Sequence, residues 1–223
     1  MSSKRRPEIK RDTRTRILVA SLSLFNEQGE PNTTTNDIAN EADISPGNLH
    51  YHFRRKGQLV AAILTEFQAD ARRALEPPAG SDLTIDDFWA FLHSVLELLA
   101  AYRFLFRDTE TVVATYPDVR RSLKGFAQGL RAVMQLYVEG LRRNAVLVVD
   151  PGEVPIVCRN LVVIALFSDR YDEVAGSRST VDAGALRTAR SVLGLLRPYA
   201  TPMAEPLIAV LMEHYASSCQ DKN

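Results

Sequence analysis

Residues 33–59 read TTTNDIANEADISPGNLHYHFRRKGQL, and this stretch decides the fold of the N-terminal part of the chain. Thr34 is a suitable N-cap for a short helix, and Asp37, three residues later, favours the positive end of that helix. Ile38 and Ala42 lie on the apolar stripe of a helix of about two turns, by the 3.6-residue period. The pattern therefore predicts one short, capped helix at the start of this stretch.

A second short helix follows after a tight turn. Ser45 is its expected N-cap, and Pro46 occupies its first position, where the missing N–H costs nothing. Leu49 and Phe53, four residues apart, share one face, while the other faces carry small and hydrogen-bonding side chains. The two helices together predict a helix-turn-helix, whose second helix enters the DNA major groove.

With an additional helix ahead of it, this array resembles the TetR family of bacterial transcriptional regulators over about the first quarter of the chain. The matching residues are Ile17, Ala20, Leu22, Phe25, Gly29, Thr34, Asp37-Ile38-Ala39, Ala42, Ile44-Ser45, Gly47, Leu49, His52-Phe53, Lys56 and Leu59. The longer sequence pattern, FNEQGEPN followed by ISPGNLHYHF, resembles that of a subgroup that includes regulators of polyhydroxyalkanoate synthesis. The resemblance implies a sequence-specific DNA-binding regulator, most often a repressor, and not an enzyme.

The second helix of the motif supplies the expected DNA contacts. Pro46, Gly47 and His50 lie on the face that a recognition helix turns toward base edges, where imidazole can donate or accept a hydrogen bond. The family usually has Tyr where this chain has His50, so base preference at that point is expected to differ. The residues expected to hold phosphates or support the helix N-termini are Thr34, Ser45, Asn48, Tyr51, His52 and Lys56.

Three of these residues also have simpler interpretations. Tyr51 could be a packing residue, and His50 with His52 could be a metal pair. Residues two apart point to different helix faces, which disfavours a shared ion. Lys56-Gly57 departs from the Lys-Glu of the family pattern, and a glycine weakens the start of the following helix by up to ~1 kcal/mol relative to alanine.

The charge of the chain is unevenly distributed. Its formal net charge is zero, but residues 1–16 contain seven Lys and Arg against two acidic residues, a net charge of +5. A basic arm ahead of a helix-turn-helix can follow phosphates or enter the minor groove. We expect DNA contact from Arg11 and Arg14, which adjoin the first helix, whereas Lys4 to Arg6 are equally consistent with a solvated tail.

Composition indicates an ordinary globular protein. The 223 residues are 46% hydrophobic and 24% charged, and no apolar run approaches the ~20 residues needed to cross a bilayer. The basic start is not followed by an apolar stretch, so no secretory signal is expected and a bacterial cytoplasm is the predicted location. Cys158 and Cys219 give neither a metal-binding spacing nor a disulfide framework, and no cofactor is expected.

Helical patterns fill almost the whole chain, with Val146–Val149 the isolated exception. The predicted helices run from Asp12 or Thr13 to Gly29, through the two short helices, and then over 57–75, 84–102, 117–141, 154–174, 183–196 and 206–215, with a short element at 109–114. The helix after Thr84 is apolar on nearly every side, which predicts a central, buried element.

The predicted fold class is all-α. A flexible basic arm (1–11) precedes a three-helix DNA-binding domain with the helix-turn-helix (12–76), in which the fourth helix (57–75) links the domains. Glu76–Gly80 breaks the helical pattern and is the predicted boundary. A larger helical domain (81–223) is expected to bind an effector and to dimerise.

Long apolar helices can enclose an effector pocket between them. The candidate lining residues are Trp89, Leu92, His93, Leu96, Arg103, Phe104, Arg107, Met134 and Tyr137. Arg103 or Arg107 could anchor a carboxylate or phosphate, or could instead pair with a neighbouring acid such as Asp108. His93 could equally be a core residue. We expect an amphipathic, acyl-type effector, because the helices are strongly apolar and because of the resemblance to the subgroup that includes regulators of polyhydroxyalkanoate synthesis.

Dimerisation is expected because one short recognition helix reads too little DNA, and two half-sites require a two-fold protein. Two late helices are apolar on more faces than a surface helix needs and could form an intersubunit four-helix bundle, or could simply close the core of one chain. The candidate interface residues are Val157, Leu161, Ile164, Ala165, Leu207 and Leu211.

The leading hypothesis is thus a homodimeric regulator that binds a palindromic operator in double-stranded DNA and is released by a small apolar effector. A nonspecific architectural DNA-binding protein is the first alternative, distinguished by sequence-indifferent, salt-sensitive binding. A small-molecule carrier or enzyme is the second. No nucleophile–base pair, metal cluster or phosphate loop in the sequence supports it.

Overall fold

The computed structural model describes residues 12–78, 80, 82–176 and 181–220, and within these ranges it contains no β-strand. The predicted all-α class is therefore confirmed for this part of the chain. The basic arm, including Arg11, lies outside the described residues. None of the helices in the described ranges is both long and apolar enough to cross a membrane.

The N-terminal helices begin and end close to the predicted positions. They are α1 (Thr13–Gln28), α2 (Thr35–Glu41), α3 (Pro46–His52) and α4 (Lys56–Ala74). Gly29 follows α1 with φ of 91°, a conformation that favours glycine, and so ends the helix where the sequence indicated. The buried side chains at the centre of this part are Ile17, Phe25, Ile38, Leu49, Leu59 and Ile63.

The remaining helices also follow the sequence pattern. They are α5 (Ile85–Ala101), α6 (Phe104–Arg107), α7 (Thr109–Thr115), α8 (Pro117–Arg143), α9 (Val154–Val174), α10 (Val181–Leu196) and α11 (Glu205–Gln220), with a 3₁₀ turn at Arg197–Tyr199. Here α10 packs against α5, α9 and α11, and α8 packs against α7 and α9. Leu147 in the isolated Val146–Val149 stretch forms a single antiparallel bridge with Ala200.

Helix α5 is less buried than its sequence predicts. Phe88, Leu92 and Val95 are fully buried, but a narrow stripe along the helix is exposed to solvent. The exposed stripe consists of Asp86, Ala90, Ser94, Glu97 and Ala101. The sequence predicted a central, buried helix with apolar residues on nearly every side; the exposed stripe falls at charged residues and at alanine and serine, which neither require nor exclude burial.

The chain separates into two compact units, one ending at Thr65 and the other starting at Glu66, so the division falls inside α4. The sequence placed the boundary at Glu76–Gly80, just beyond the end of α4. The difference arises because the C-terminal half of α4 packs with the larger unit. The ring of Phe67 contacts the edges or faces of Tyr102, Phe106 and Phe126 at centroid distances of 5.4, 6.0 and 5.4 Å.

Candidate nucleic-acid interface

The start of α2 is held by a reciprocal capping box. The hydroxyl of Thr34 accepts a hydrogen bond from the backbone N–H of Asp37 at 3.2 Å, and the Asp37 carboxylate accepts one from the Thr34 N–H at 2.8 Å. Hydrogen bonds from the Thr34 side chain and backbone lower the pKa of Asp37. Thr34 thus has the cap role predicted for it, and it is exposed beside an open helix N-terminus.

The turn between α2 and α3 is fixed from outside by Arg16 on α1. Asp43 in this turn has φ of 50°, a left-handed conformation that a non-glycine residue adopts only with support. The guanidinium of Arg16 donates hydrogen bonds to the carbonyls of Ala42 and Asp43. Because the guanidinium is anchored on α1, these bonds set where α3 begins.

Helix α3 has one buried face and one exposed face. Leu49 and Phe53 are buried, while Ser45 caps the helix by accepting from the N–H of Asn48 at 3.2 Å. Pro46, Gly47, Asn48 and His50 are all exposed. A Cβ added at Gly47 would meet only the Ser45 hydroxyl, at 4.0 Å. The outward face is therefore open, with small residues at its N-terminal end.

Tyr51 projects from α3 and is 84% exposed, so the interpretation of Tyr51 as a packing residue is not supported. Its ring lies edge-on to the half-buried His52 at 5.3 Å.

Within the described part of the chain, no three His, Cys, Asp or Glu side chains are grouped as a metal site would require. Cys158 is fully buried, and burial raises its pKa to about 11, which keeps the thiol protonated.

Lys56 is used inside the domain and not at its surface. Its ammonium donates to the carbonyls of Glu30 and Thr33 at 2.8 and 3.1 Å and pairs with the Glu30 carboxylate at 3.0 Å. An ammonium has three hydrogens, and these three partners account for all of them. The expectation that Lys56 holds a phosphate therefore lacks a free donor, and the structure corrects it to a bridge between the end of α1 and the start of α4.

Two exposed arginines directly precede Lys56, the residue that the sequence predicted as a phosphate contact. Arg54 and Arg55 lie between α3 and α4, directly after the recognition helix, and both are exposed. The basic run Arg54-Arg55-Lys56 is visible in the sequence, but only the lysine matches the family pattern. Arg14 is exposed as well, with its guanidinium 5.2 Å from the centre of the Phe53 ring, a cation–π contact.

The predicted effector-binding residues have different surroundings in the described part of the larger unit. Leu92, Leu96, Phe104 and Met134 are core residues in the interior of the larger unit. Trp89 stacks on His93 at 5.3 Å, and the partly exposed His93 is 3.9 Å from Glu97, so His93 is not a core residue. Arg107 pairs with Asp108 at 3.1 Å, the alternative considered for it. Burial raises the pKa of Asp169, and the positive charge of Arg103 offsets part of that rise.

A cleft of about 370 Å³ lies beside the C-terminal end of α4, and Tyr137 is the candidate residue that lines it. The other lining residues are Arg73, Ala74, Glu76, Pro78, Leu83, Asp87, Ala90, Phe91 and Ser94. The Tyr137 ring stacks on Phe91 at 4.7 Å, and burial, followed by the charge of Asp87, raises the pKa of its hydroxyl. The phenol therefore remains a hydrogen-bond donor within an aromatic wall.

Half of the predicted dimer residues face inward. Val157, Leu161 and Ala165 are buried within one chain. The exposed apolar side chains lie elsewhere on α9 and along α11, a surface we call the α9–α11 apolar face. Its members are Ile156, Val163, Phe167, Tyr171 and Val174, with Met203, Leu207 and Val210.

A second cleft, of about 630 Å³, opens between α9, α10 and α11 beside the α9–α11 apolar face. Val163, Phe167 and Tyr171 belong to both features, and Ile164, a predicted interface residue, also lines the cleft. Of the two candidates on α11, Leu207 is exposed and Leu211 is half-buried.

Comparison with protein families gives two matches that follow one another along the chain. Residues 17–63 match the model described as bacterial regulatory proteins of the tetR family, and residues 66–207 match the TetR model described as a bacterial transcriptional repressor. The second match alone spans more than half of the chain.

Individual proteins agree with these models. The chain is 25% identical over 138 residues to a probable HTH-type transcriptional regulator, YttP, of Bacillus subtilis, covering 59% of this chain and 65% of the relative, which is less than two thirds of its length. A crystal structure of a TetR-family regulator from Marinobacter aquaeolei VT8 superposes with a TM-score of 0.81 at 30% identity, covering 92% of this chain and 98% of that one. A gamma-butyrolactone receptor shares the fold, with a TM-score of 0.66, 20% identity, and coverage of 92% and 97%.

Proposed function

The chain belongs to the TetR family of bacterial transcriptional regulators, and from that membership we propose that it is a homodimeric repressor that an effector releases from a palindromic operator. The observation that carries the proposal is the outward face of α3, whose polar side chains are exposed while Leu49 and Phe53 anchor its inner face. A protein that acts on genomic DNA works in the cytoplasm of a bacterium, and we propose that location.

His50 is the residue proposed to read base edges. It is exposed on the same helix as Pro46 and Gly47, whose small size allows a close approach to the groove. Tyr51, Arg54 and Arg55 are proposed to hold phosphates, because they are exposed and directly follow the reading positions. His52, Asn48, Ser45 and the Thr34 cap support the backbone contacts. Lys56 does not belong to this set.

The α9–α11 apolar face is the proposed dimer interface. Large exposed apolar patches mark interaction surfaces on soluble proteins. The occupant is a second copy of the chain, since reading two half-sites requires a two-fold assembly and since α9 and α11 of each copy can form a four-helix bundle. The adjoining 630 Å³ groove would be covered by the partner in that bundle.

The cleft beside Phe91 and Tyr137 is the proposed effector site. It offers a stacked aromatic wall, the Tyr137 hydroxyl as a donor, and the charged groups of Arg73 and Asp87 at its margin. A ligand with an apolar body and a polar group that accepts the phenol hydrogen bond fits this lining. The resemblance to the polyhydroxyalkanoate subgroup implies an acyl-type effector, and we propose this class of ligand for the cleft.

The test is selection of bound sequences from random DNA duplexes with the purified full-length protein. We expect an inverted repeat, since two copies of α3 must reach successive major grooves about 34 Å apart. Tyr51→Ala should weaken binding about equally on every selected sequence, because phosphate contacts carry no sequence information. A pool without an inverted repeat, bound in a strongly salt-dependent way, would show a nonspecific DNA-binding protein instead.

A further inference from the structure

The groove between α9, α10 and α11 is formed by a single chain, and its volume of about 630 Å³ is that of a small-molecule site. Helix α10 is buried on one face, where Ala189, Val192 and Leu193 pack into the core. The opposite face of α10 lines the groove at spacings of three and four residues, with Arg187, Arg190, Ser191 and Gly194. One wall of the groove is therefore held in place by the packing behind it.

Much of the lining is apolar and lacks packing partners within the chain. Val163 and Phe167 line the groove from α9 and are 46% and 47% exposed. Met212 lines it from α11, and a Cβ added at Gly194 would lie 3.5 Å from the Met212 methyl carbon. The absence of a side chain at Gly194 thus keeps the groove open beside Met212. An apolar chain placed here would remove these surfaces from water, which is favourable.

The charged groups that line the groove leave one positive charge uncompensated. Arg187 pairs with Asp172 at 2.8 Å. Arg190 is exposed and makes neither a hydrogen bond nor an ion pair with any residue that the structure describes. It stands one turn before Gly194 on the same helix face, so an unused guanidinium adjoins the open, apolar part of the groove.

We propose that this groove is a second small-molecule site, which takes an amphipathic anion. Arg190 holds the carboxylate, and the apolar chain lies against Phe167 and Met212. A guanidinium presents its N–H donors as a planar fork that matches the two oxygens of a carboxylate. The site is separate from the cleft beside Tyr137 and does not depend on an effector there. In the proposed dimer the partner would lie over the groove and enclose the ligand between two copies.

The test is a titration of the full-length protein with decanoate, followed by NMR of isotopically labelled methionine methyl groups. Met212 lines the groove, whereas Met134 in the core and Met203 on the surface do not. We expect decanoate to shift the Met212 resonance in a saturable manner and to leave the other two in place. Decan-1-ol has the same chain without the charge and should bind at least about fivefold more weakly.

Arg190→Gln removes the charge that the proposal assigns to the carboxylate. It should weaken decanoate binding by about 5- to 20-fold, the range of a charge-assisted hydrogen bond at a partly exposed site, and leave decan-1-ol binding unchanged. Arg120→Gln, at an exposed position on α8, is the matched control and should bind decanoate as wild type does. Because Arg190 is exposed, its replacement leaves the core intact.

Two filling variants test where the ligand lies. Gly194→Leu extends into the groove and should abolish the Met212 shift, with the chain still dimeric in sedimentation equilibrium. Ala90→Leu narrows the cleft beside Tyr137 instead and should preserve the shift. If Gly194→Leu does not fold, Arg190→Gln still decides the question.

Equal affinity for decanoate and decan-1-ol, or full decanoate affinity in Arg190→Gln, would overturn the inference. A folded Gly194→Leu protein that became monomeric would overturn it as well, since the partner and not a ligand would then fill the groove. A Met212 resonance that decanoate does not shift, in a protein that still selects an inverted repeat, would contradict the second site and leave the proposed function intact.

Discussion

At the residue scale, the cations of the N-terminal unit mainly hold that unit together. Arg16 supports the turn before α3, Lys56 bridges α1 and α4, and Arg14 covers the Phe53 ring. A sequence shows that such residues are basic, but not which carbonyl a long side chain reaches. Arg16 is 26 residues from Ala42, and Lys56 is 26 residues from Glu30, so local sequence patterns could not predict these hydrogen bonds.

Lys56→Met provides the test of this role. Glu30 is 3% exposed, and Lys56→Met removes the ammonium that pairs with its carboxylate and donates to the carbonyls of Glu30 and Thr33. We expect a loss of about 2 kcal/mol in the free energy of unfolding, measured by urea titration, because removing one partner from a buried, charge-assisted hydrogen-bond cluster costs about 1–3 kcal/mol. Glu30→Gln in the same chain should recover part of this loss.

Lys124→Met, at an exposed position on α8, is the matched control and should change stability by less than about 0.5 kcal/mol. If Lys56→Met retained full stability and instead lost DNA affinity on every sequence, Lys56 would be a phosphate contact after all and the internal bridge would be incidental.

At the scale of elements, helix ends were predictable from sequence and helix faces were not. Caps and prolines are local signals, and α9 begins and ends at the predicted Val154 and Val174. Its burial depends on neighbours that lie far away in sequence. Val157 and Leu161 are buried while Val163 and Phe167 are exposed to solvent, yet all four residues are equally apolar in the sequence.

Phe167→Glu tests the proposed dimer interface. Phe167 is 47% exposed, so a carboxylate there remains solvated in one chain but would be desolvated between two copies. We expect sedimentation equilibrium to show a monomer at concentrations where wild type is a dimer, with operator affinity reduced at least tenfold. Leu136→Glu, on α8 with similar exposure, should stay dimeric.

A Phe167→Glu protein that remained a dimer with unchanged operator affinity would contradict the α9–α11 apolar face as the interface. Dissociation produced by both variants would point to general destabilisation, which the thermal unfolding midpoints would reveal.

At the scale of the whole molecule, the sequence specified the N-terminal motif in detail and the larger unit only in outline. The motif is short and its roles are tied to fixed spacings, so Thr34, Ser45 and Pro46 occupy their predicted cap positions. A cleft between helices depends on packing over the entire unit. For that reason the sequence indicated Tyr137, but neither Arg73 nor Asp87, among the residues that line the cleft proposed as the effector site.

The central claim is that two copies of α3 turn His50 toward DNA bases at once. Repeating the duplex selection with His50→Ala tests it most directly, because the variant removes a hydrogen-bonding ring from an exposed position without disturbing the core. The account predicts that base preference changes at one position in each half-site, symmetrically about the centre of the repeat. An unchanged selected sequence, with or without weaker binding, would contradict it.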